Sequence, residues 1–284
     1  MGNSKAHWLF TLSPVVNRAF ARSVRVYLLA CVAFIVAPDG GVSANDAFRI
    51  PIFVYHRFAG TVADSMTISV SLFEAHLKYL RDNGYQVIPL RQLIEHRLHG
   101  GSDLPARAVV ITADDGHRSV YTHMLSLIRF ERLPVTLFIY PSAISNADYA
   151  MTWEQLTELK QTGLFDIQSH SLWHPNFKDE KRRLKHDEYE KFVRTQLVKS
   201  KDVLEKKLQS QVDMLAWPFG IFDDELIGIA REAGYKAAFT IEGRHATLAD
   251  SIMALPRYLV TQSLQMKLFA QVLSRKAGQV KEGY

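Results

Sequence analysis

The chain has 284 residues, 48% hydrophobic and 22% charged, and this composition excludes a disordered chain and a polytopic membrane protein. The formal net charge is +5, but residues 1–44 hold four basic residues against one acidic residue, and the remainder carries 30 basic and 28 acidic residues. The remainder is therefore nearly neutral. No nucleic-acid partner is expected, because such a partner would need basic residues clustered on one face.

Residues 1–44 have the features of an export signal. Basic residues at 18–25 precede an apolar run over 26–37, which is followed by small residues up to Ala44. We predict cleavage after Ala44, which leaves one domain over 45–284 in a periplasm or another extracytoplasmic space. The alternatives are an uncleaved leader that tethers the protein to the membrane, and a lipoprotein box at Cys31.

Cys31 is the single cysteine of the sequence and lies within the predicted leader. The mature protein is therefore expected to have neither disulfide partners nor a thiol nucleophile. A domain without cysteine suits an oxidising compartment.

Apolar periodicity and turn residues predict strands and helices that alternate along the chain. In chain order, the predicted strands are 50–55, 85–88, 108–112, 135–140, 165–169, one ending at 215–217, 237–240 and 258–260. The predicted helices are 72–83, 90–98, 121–131, 153–162, 179–209, 223–233 and 264–273. Ser71 and Glu74 are predicted to cap the first helix. The alternation indicates an α/β fold with a parallel sheet of about seven strands, a number that favours barrel-like closure.

Two adjacent carboxylates, Asp114 and Asp115, come at the end of the apolar strand and precede Gly116. Their repulsion and desolvation need compensation, which a metal ion bound by one of them would supply. The carboxyl ends of strands are where parallel α/β folds form their sites. The pair therefore predicts a metal site, with a solvated turn as the alternative.

His170 and His174 lie four residues apart, directly after the strand predicted at 165–169. If the segment turns helically, both imidazoles face the same way and can ligate one cation. With Asp115 they give three protein ligands and leave positions open for water and substrate, as in catalytic metal sites. The alternative is a pair of surface histidines.

A third motif, Trp217-Pro218-Phe219-Gly220, follows another predicted strand. Such a segment can shape an aromatic pocket and aim a backbone N–H group at a developing oxyanion. The alternative is a set of core aromatics beside a turn.

The three motifs, in this order and each after a strand, resemble the polysaccharide deacetylase family with its NodB homology domain. Segments at 54–56, 73–90 and 104–116 are similar to the branch that acts on poly-N-acetylglucosamine in biofilm exopolysaccharide. The resemblance covers about residues 50–262. It implies a distorted (β/α) barrel of about seven parallel strands, and a metal-dependent hydrolase that removes N-acetyl groups from an N-acetylated glycan and releases acetate.

The resemblance also implies roles for individual residues. Asp114 matches the general base, and Asp115, His170 and His174 match the ligands of one divalent metal ion, typically zinc, with cobalt, nickel or manganese as alternatives. Phe219 falls where family members supply a backbone donor to the oxyanion. The candidate substrate-binding residues are His56, Trp173, Trp217 and Phe219, and the alternative for the aromatic ones is a place in the core.

The sequence departs from the family pattern in two places. Ala216 stands where many members have an arginine that orients the base, and Arg257 is our candidate catalytic residue in its stead. The late leucine–histidine motif that supplies the general acid is not evident. The candidates for the acid are His56, His117 and His245.

Two other functions compete with that of a polysaccharide deacetylase. A deacylase of a small amide could use the same metal site, but the export signal argues against it. A catalytically inactive sugar-binding homologue is favoured by Ala216 and the missing acid motif. The complete set of two aspartates and two histidines argues against this second alternative.

Overall fold

A parallel β-sheet forms the centre of the protein, in a computed structural model that describes residues 48–62, 64–100 and 103–274. The strands in chain order are β1 (Arg49–Ile50), β2 (Ile52–Tyr55), β3 (Arg57–Ala59), β4 (Thr67–Ser69), β5 (Gln86–Val87), β6 (Ala108–Asp114), β7 (Val135–Ile139), β8 (Phe165–Ser169), β9 (Met214–Ala216), β10 (Ala237–Phe239), β11 (Ala246–Thr247) and β12 (Tyr258–Leu259). The order across the main sheet is β10-β9-β8-β7-β6-β2-β12, and β5 also pairs with β6. The predicted leader lies outside the described residues.

Helices connect the strands, as expected for βα units. They are α1 (Val70–Asp82), α2 (Leu90–His99), α3 (Leu125–Glu131), which follows a π-helical turn at Val120–Met124, α4 (Trp153–Gln161), α5 (Phe177–Arg183), α6 (His186–Leu208), α7 (Asp224–Glu232) and α8 (Met266–Ser274). The predicted α/β fold with about seven parallel strands is confirmed. In the described part of the chain, no helix has the length and apolar character needed to cross a membrane.

The sheet curls so that strands distant in its order meet across an enclosed core. Phe138 of β7 and Phe239 of β10 have ring centroids 5.3 Å apart, although β8 and β9 lie between their strands. The segment 252–255, which leads into β12, forms backbone hydrogen bonds of 2.8–2.9 Å with residues 238–240. The two edges of the sheet are joined through this segment, and the sheet forms a distorted barrel.

Strand β6 is buried on both faces, which explains its continuous apolar sequence. Val110 belongs to the inner cluster with Phe138 and Phe239, whereas Val109 and Ile111 belong to the larger cluster that packs against the helices. The carboxyl ends of the parallel strands meet at one end of the barrel. The three motifs follow β6, β8 and β9, so they are brought to this same end.

Two details of the predicted helices are wrong. The single helix predicted at 179–209 is divided into α5 and α6 at Leu184, which is extended (φ −98°, ψ 152°) and packs its half-buried side chain against the core. Ser69, not Ser71, caps α1, because its hydroxyl oxygen accepts the N–H group of Leu72 at 3.2 Å. At Leu184 a contact with the core overrides the local preference for helix. At the start of α1, Ser69 is the residue with the extended backbone of an N-cap.

Helices α1 and α8 pack through a buried histidine, which gives the fold a pH-dependent element. The His76 ring stacks on Phe269 at 3.9 Å, donates to the Leu264 carbonyl at 3.0 Å and accepts the Tyr55 hydroxyl at 3.2 Å. Burial lowers the pKa of His76 to about 4. The folded protein thus holds this imidazole neutral at pH values where the unfolded chain protonates it.

We expect this difference to destabilise the protein as the pH falls. His76 contributes fully above its unfolded pKa of 6.5, and its contribution is lost as the pH falls towards 4, because the unfolded state then binds the extra proton. The loss is about 3 kcal/mol of the free energy of unfolding. Urea denaturation between pH 7 and 4 should show a shallower decline for His76→Phe than for the wild type, and parallel curves would contradict the assignment.

Candidate metal centre

Both carboxylates of the Asp-Asp-Gly motif face one imidazole. Asp114 is the last residue of β6 and is buried, whereas Asp115 is half-buried with a left-handed backbone (φ 73°). Consecutive side chains of a strand point to opposite faces, and the turn at Asp115 breaks this alternation. The distances to His170 Nε2 are 3.8 Å from Asp114 Oδ2 and 3.6 Å from Asp115 Oδ1.

The turn after the two aspartates requires glycine. Gly116 has a φ of +76°, and a Cβ atom there would lie 3.0 Å from Ile144 and 3.1 Å from Ile139. The Gly116 carbonyl also accepts the N–H group of Met151 at 2.9 Å. The carboxylate turn is therefore packed closely against the loop that follows β7.

His170 is oriented by the neighbouring strand. It is buried directly after β8, and its Nδ1 lies 2.8 Å from the carbonyl oxygen of Ala216 at the end of β9. Since a carbonyl only accepts, Nδ1 donates this hydrogen bond, and Nε2 is the ring nitrogen that faces the carboxylates. This arrangement is the usual one for an imidazole that ligates a metal through Nε2.

His174 reaches the same place through an irregular loop, and the helical turn that would align the two histidines is not formed. Ser171 and His174 both have left-handed backbones, with φ of 63° and 61°. The loop is held by three backbone donors: His174 to the Ser171 hydroxyl at 3.1 Å, Ser171 to the Ser169 hydroxyl at 3.2 Å, and Trp173 to Oε1 of the buried Gln196 on α6 at 3.1 Å. These hydrogen bonds offset the free-energy cost of the left-handed backbones at Ser171 and His174.

Asp115, His170 and His174 form one group of ligand atoms. One atom from each lies within 4.8 Å of the others, and His174 Nε2 is 3.9 Å from Asp115 Oδ1. Burial and the adjacent His170 lower the pKa of His174 to about 4, so its imidazole is neutral, as metal ligation requires. One carboxylate and two imidazoles are a donor set that fits a divalent ion such as zinc.

Asp114 is paired with an arginine inside the barrel. Arg257 is fully buried and donates from Nη1 to Asp114 Oδ1 at 2.8 Å and from Nη2 to Oδ2 at 2.7 Å. It also donates to the carbonyl of Thr240 at 3.1 Å and to the hydroxyl of Thr112 at 3.2 Å, and it lies over the faces of Phe138 and Phe239. Burial alone would raise the pKa of Asp114, but Arg257 and His170 more than offset this and hold the pKa below its ordinary value.

The predicted aromatic residues differ in exposure. Trp217 is 1% exposed, and its indole N–H donates to the Met253 carbonyl at 2.9 Å, so it belongs to the core and cannot stack on a substrate. Trp173 and Phe219 are 54% and 56% exposed. The Phe219 ring contacts His174 edge-on at 4.5 Å, and its backbone is left-handed (φ 56°).

The three candidate acids lie in different surroundings. His56 is half-buried and follows β2, which pairs with β6 so that Tyr55 lies opposite Ala113 and His56 comes beside Asp114; burial lowers the pKa of His56, an effect that Asp114 and Asp115 partly oppose. His117 accepts from Ser119 at 2.7 Å and stacks on a neighbouring tyrosine ring. His245 is buried with its Nδ1 2.9 Å from the Tyr258 hydroxyl.

Sequence reasoning missed one aromatic residue beside the ligands. Tyr140 immediately follows β7, and its ring centroid lies 5.5 Å from that of His174 and 6.4 Å from that of His170. Its hydroxyl oxygen is 2.6 Å from the hydroxyl oxygen of Tyr149. Its position directly after a strand could have identified it from the sequence, since the aspartates and His170 were identified by the same position.

Comparison with known proteins agrees with this arrangement of strands and motifs. Residues 101–238 match the family model described as polysaccharide deacetylase. The poly-beta-1,6-N-acetyl-D-glucosamine N-deacetylase of Escherichia coli (strain K12) is 27% identical over 254 residues, covering 76% of this chain and 37% of that protein. The protein of the same name from Staphylococcus aureus (strain MRSA252) is 23% identical over 214 residues, covering 74% and 73%. The chain thus spans little more than a third of the length of the Escherichia coli relative.

Two solved structures share the fold. The Streptococcus pyogenes deacetylase PplD, in complex with acetate, aligns with a TM-score of 0.71 at 22% identity and covers 81% of this chain and 100% of that one. IcaB from Ammonifex degensii aligns with a TM-score of 0.69 at 22% identity and covers 80% and 97%. Residues 101–238 thus match the polysaccharide deacetylase model, the named relatives are deacetylases, and the fold is that of solved deacetylases.

Proposed function

We propose that the protein is a metal-dependent hydrolase that removes N-acetyl groups from an exported poly-N-acetylglucosamine and releases acetate. The observation that carries the proposal is the convergence of Asp115, His170 and His174 beside a second, arginine-paired carboxylate. Relatives named as poly-beta-1,6-N-acetyl-D-glucosamine N-deacetylases support the polymer as substrate. The basic and apolar leader supports an extracytoplasmic location.

The residues divide the chemistry between them. Asp115, His170 and His174 would hold one divalent ion, which when bound supplies polarisation of the acetyl carbonyl and activation of water. Asp114 is ionised and held by Arg257, so it is set to accept the proton of the attacking water. The backbone N–H of Phe219 is the proposed donor to the developing oxyanion.

We assign the general acid to His56. It follows β2 at the level of Asp114 on the paired strand β6, and its Nδ1 is buried without a hydrogen-bond partner among the described residues. Protonating the leaving nitrogen is essential for an amide and unnecessary for an activated aryl ester. We therefore expect His56→Phe to lower kcat for acetate release from the glycan by about 10²-fold or more, and to lower kcat for an aryl acetate far less. An equal loss on both substrates would exclude the acid role.

The experiment for the activity is acetate release by the full chain after removal of metal with a chelator. Zinc or cobalt is added back in the presence of N-acetylglucosamine, its β-1,6-linked tetramer and the polymer. We expect release from the tetramer and polymer, and only with metal. Release from the monomer alone would favour a small-amide deacylase, and no release with any metal would favour an inactive sugar-binding homologue.

A further inference from the structure

An exposed tyrosine lies next to the metal-ligand group without being part of it. Tyr149 is 42% exposed, and its hydroxyl meets that of Tyr140, whose ring packs against His174. A single aromatic ring therefore separates Tyr149 from a ligand residue. This is where a residue that contacts the substrate beyond its reacting acetamide is expected to lie.

Tyr149 is held rigidly in relation to the carboxylate turn. Its carbonyl accepts the N–H group of Arg118 at 2.7 Å, and an antiparallel bridge pairs His117 with Ala150. Next to it, the N–H group of Met151 donates to the Gly116 carbonyl at 2.9 Å. The loop that carries Tyr149 and the turn that carries Asp115 are therefore fixed to each other.

The ring itself is also pre-oriented. It lies parallel to the His117 ring, with an interplanar angle of 9° and centroids 6.2 Å apart. His117 is fixed in turn, because its Nδ1 lies 2.7 Å from the Ser119 hydroxyl, which also accepts the N–H group of Phe58 at 2.9 Å. A large exposed ring fixed by a stack, a hydroxyl bond and its backbone loses little conformational freedom when it binds a ligand.

We propose that Tyr149 is a stacking subsite for the sugar adjacent to the one whose acetamide is hydrolysed. Its ring would pack against the apolar C–H face of a pyranose, while its hydroxyl stays bonded to Tyr140. The proposal rests on the proposed function, since it places a second sugar of the same glycan. It makes Tyr149 a determinant of the preference for oligomer over small acetylated substrates.

The test compares wild type, Tyr149→Ala and Tyr149→Phe, with Phe130→Ala as the control. Phe130 is 81% exposed on α3, which precedes β7 and so lies near the barrel end opposite the metal-ligand group. The measured quantity is the ratio of kcat/KM for the β-1,6-linked N-acetylglucosamine tetramer to that for an aryl acetate. We expect the ratio to fall about 3- to 10-fold in Tyr149→Ala, and to be largely kept in Tyr149→Phe and Phe130→Ala.

Several outcomes would overturn the proposal. These are an unchanged ratio in Tyr149→Ala, an equal fall in Phe130→Ala, or a fall in Tyr149→Phe as large as in Tyr149→Ala. Calorimetric binding of the same tetramer separates this proposal from the catalytic one. If the wild type releases no acetate, the proposed function fails, and the subsite stands or falls on whether Tyr149→Ala weakens tetramer binding by about 3- to 10-fold.

Discussion

Asp114→Asn should lower kcat for acetate release by about 10²–10⁴-fold while the protein still binds one metal ion per chain. The substitution keeps the shape of the side chain and one acceptor for Arg257, but it removes the basic oxygen that would take the proton from water. The ligands Asp115, His170 and His174 are untouched. The loss should therefore appear in kcat and not in metal stoichiometry.

A matched control exists at the other end of the barrel. Asp213 is equally buried, precedes β9, and pairs with Arg91 at 3.0 Å and Lys236 at 3.2 Å. Asp213→Asn also removes a buried, cation-paired carboxylate, so it should cost stability without lowering kcat. If Asp114→Asn keeps a near-normal kcat, or if both variants lose the same activity, Asp114 is not the base.

Arg257→Met should destabilise the protein by about 3–5 kcal/mol, because it leaves the Asp114 carboxylate buried without its partner. The double variant Asp114→Asn/Arg257→Met removes both charges and should regain much of that loss. Arg257→Lys keeps the charge but replaces the planar pairing of two nitrogens with a single nitrogen, so it should fall between the wild type and Arg257→Met in stability and in kcat.

Urea denaturation of the wild type, Asp114→Asn, Arg257→Met and the double variant gives the coupling free energy between Asp114 and Arg257 directly. We expect the double variant to be more stable than the sum of the two single effects predicts, since each single variant leaves one charge unpaired. Additive effects would show that the two short hydrogen bonds contribute no coupling. Arg257 would then be a packing residue between two phenylalanine rings and not the group that positions the base.

The fold and most of the ligand positions could be predicted because they follow from local patterns. The run Ala108–Ala113 is apolar except for Thr112, which indicates a strand buried on both faces. Each motif follows a strand of the parallel sheet, and parallel strands bring their carboxyl ends together. The convergence of Asp115, His170 and His174 therefore needed only the order of elements, not their exact bounds.

Other features depend on tertiary contacts that the sequence does not display. The path from His170 to His174 is an irregular loop because Ser171 and Gln196 hold its backbone, and no spacing rule reports such contacts. At the level of sequence, Arg257 is only a hypothesis for the arginine whose place Ala216 takes. The pairing distance depends on how 252–257 closes the barrel. Trp217 shows the converse, since a motif residue that looks like a stacking platform is buried in the core.

The central claim is that Asp115, His170 and His174 share one divalent ion, and anomalous diffraction from zinc-loaded crystals tests it most directly. We predict one zinc per chain, bonded to the Asp115 carboxylate and to both Nε2 atoms at about 2.0–2.2 Å, and lost in His174→Ala but kept in the exposed control His99→Ala. A protein that binds no zinc, or binds it through other residues, would contradict the account.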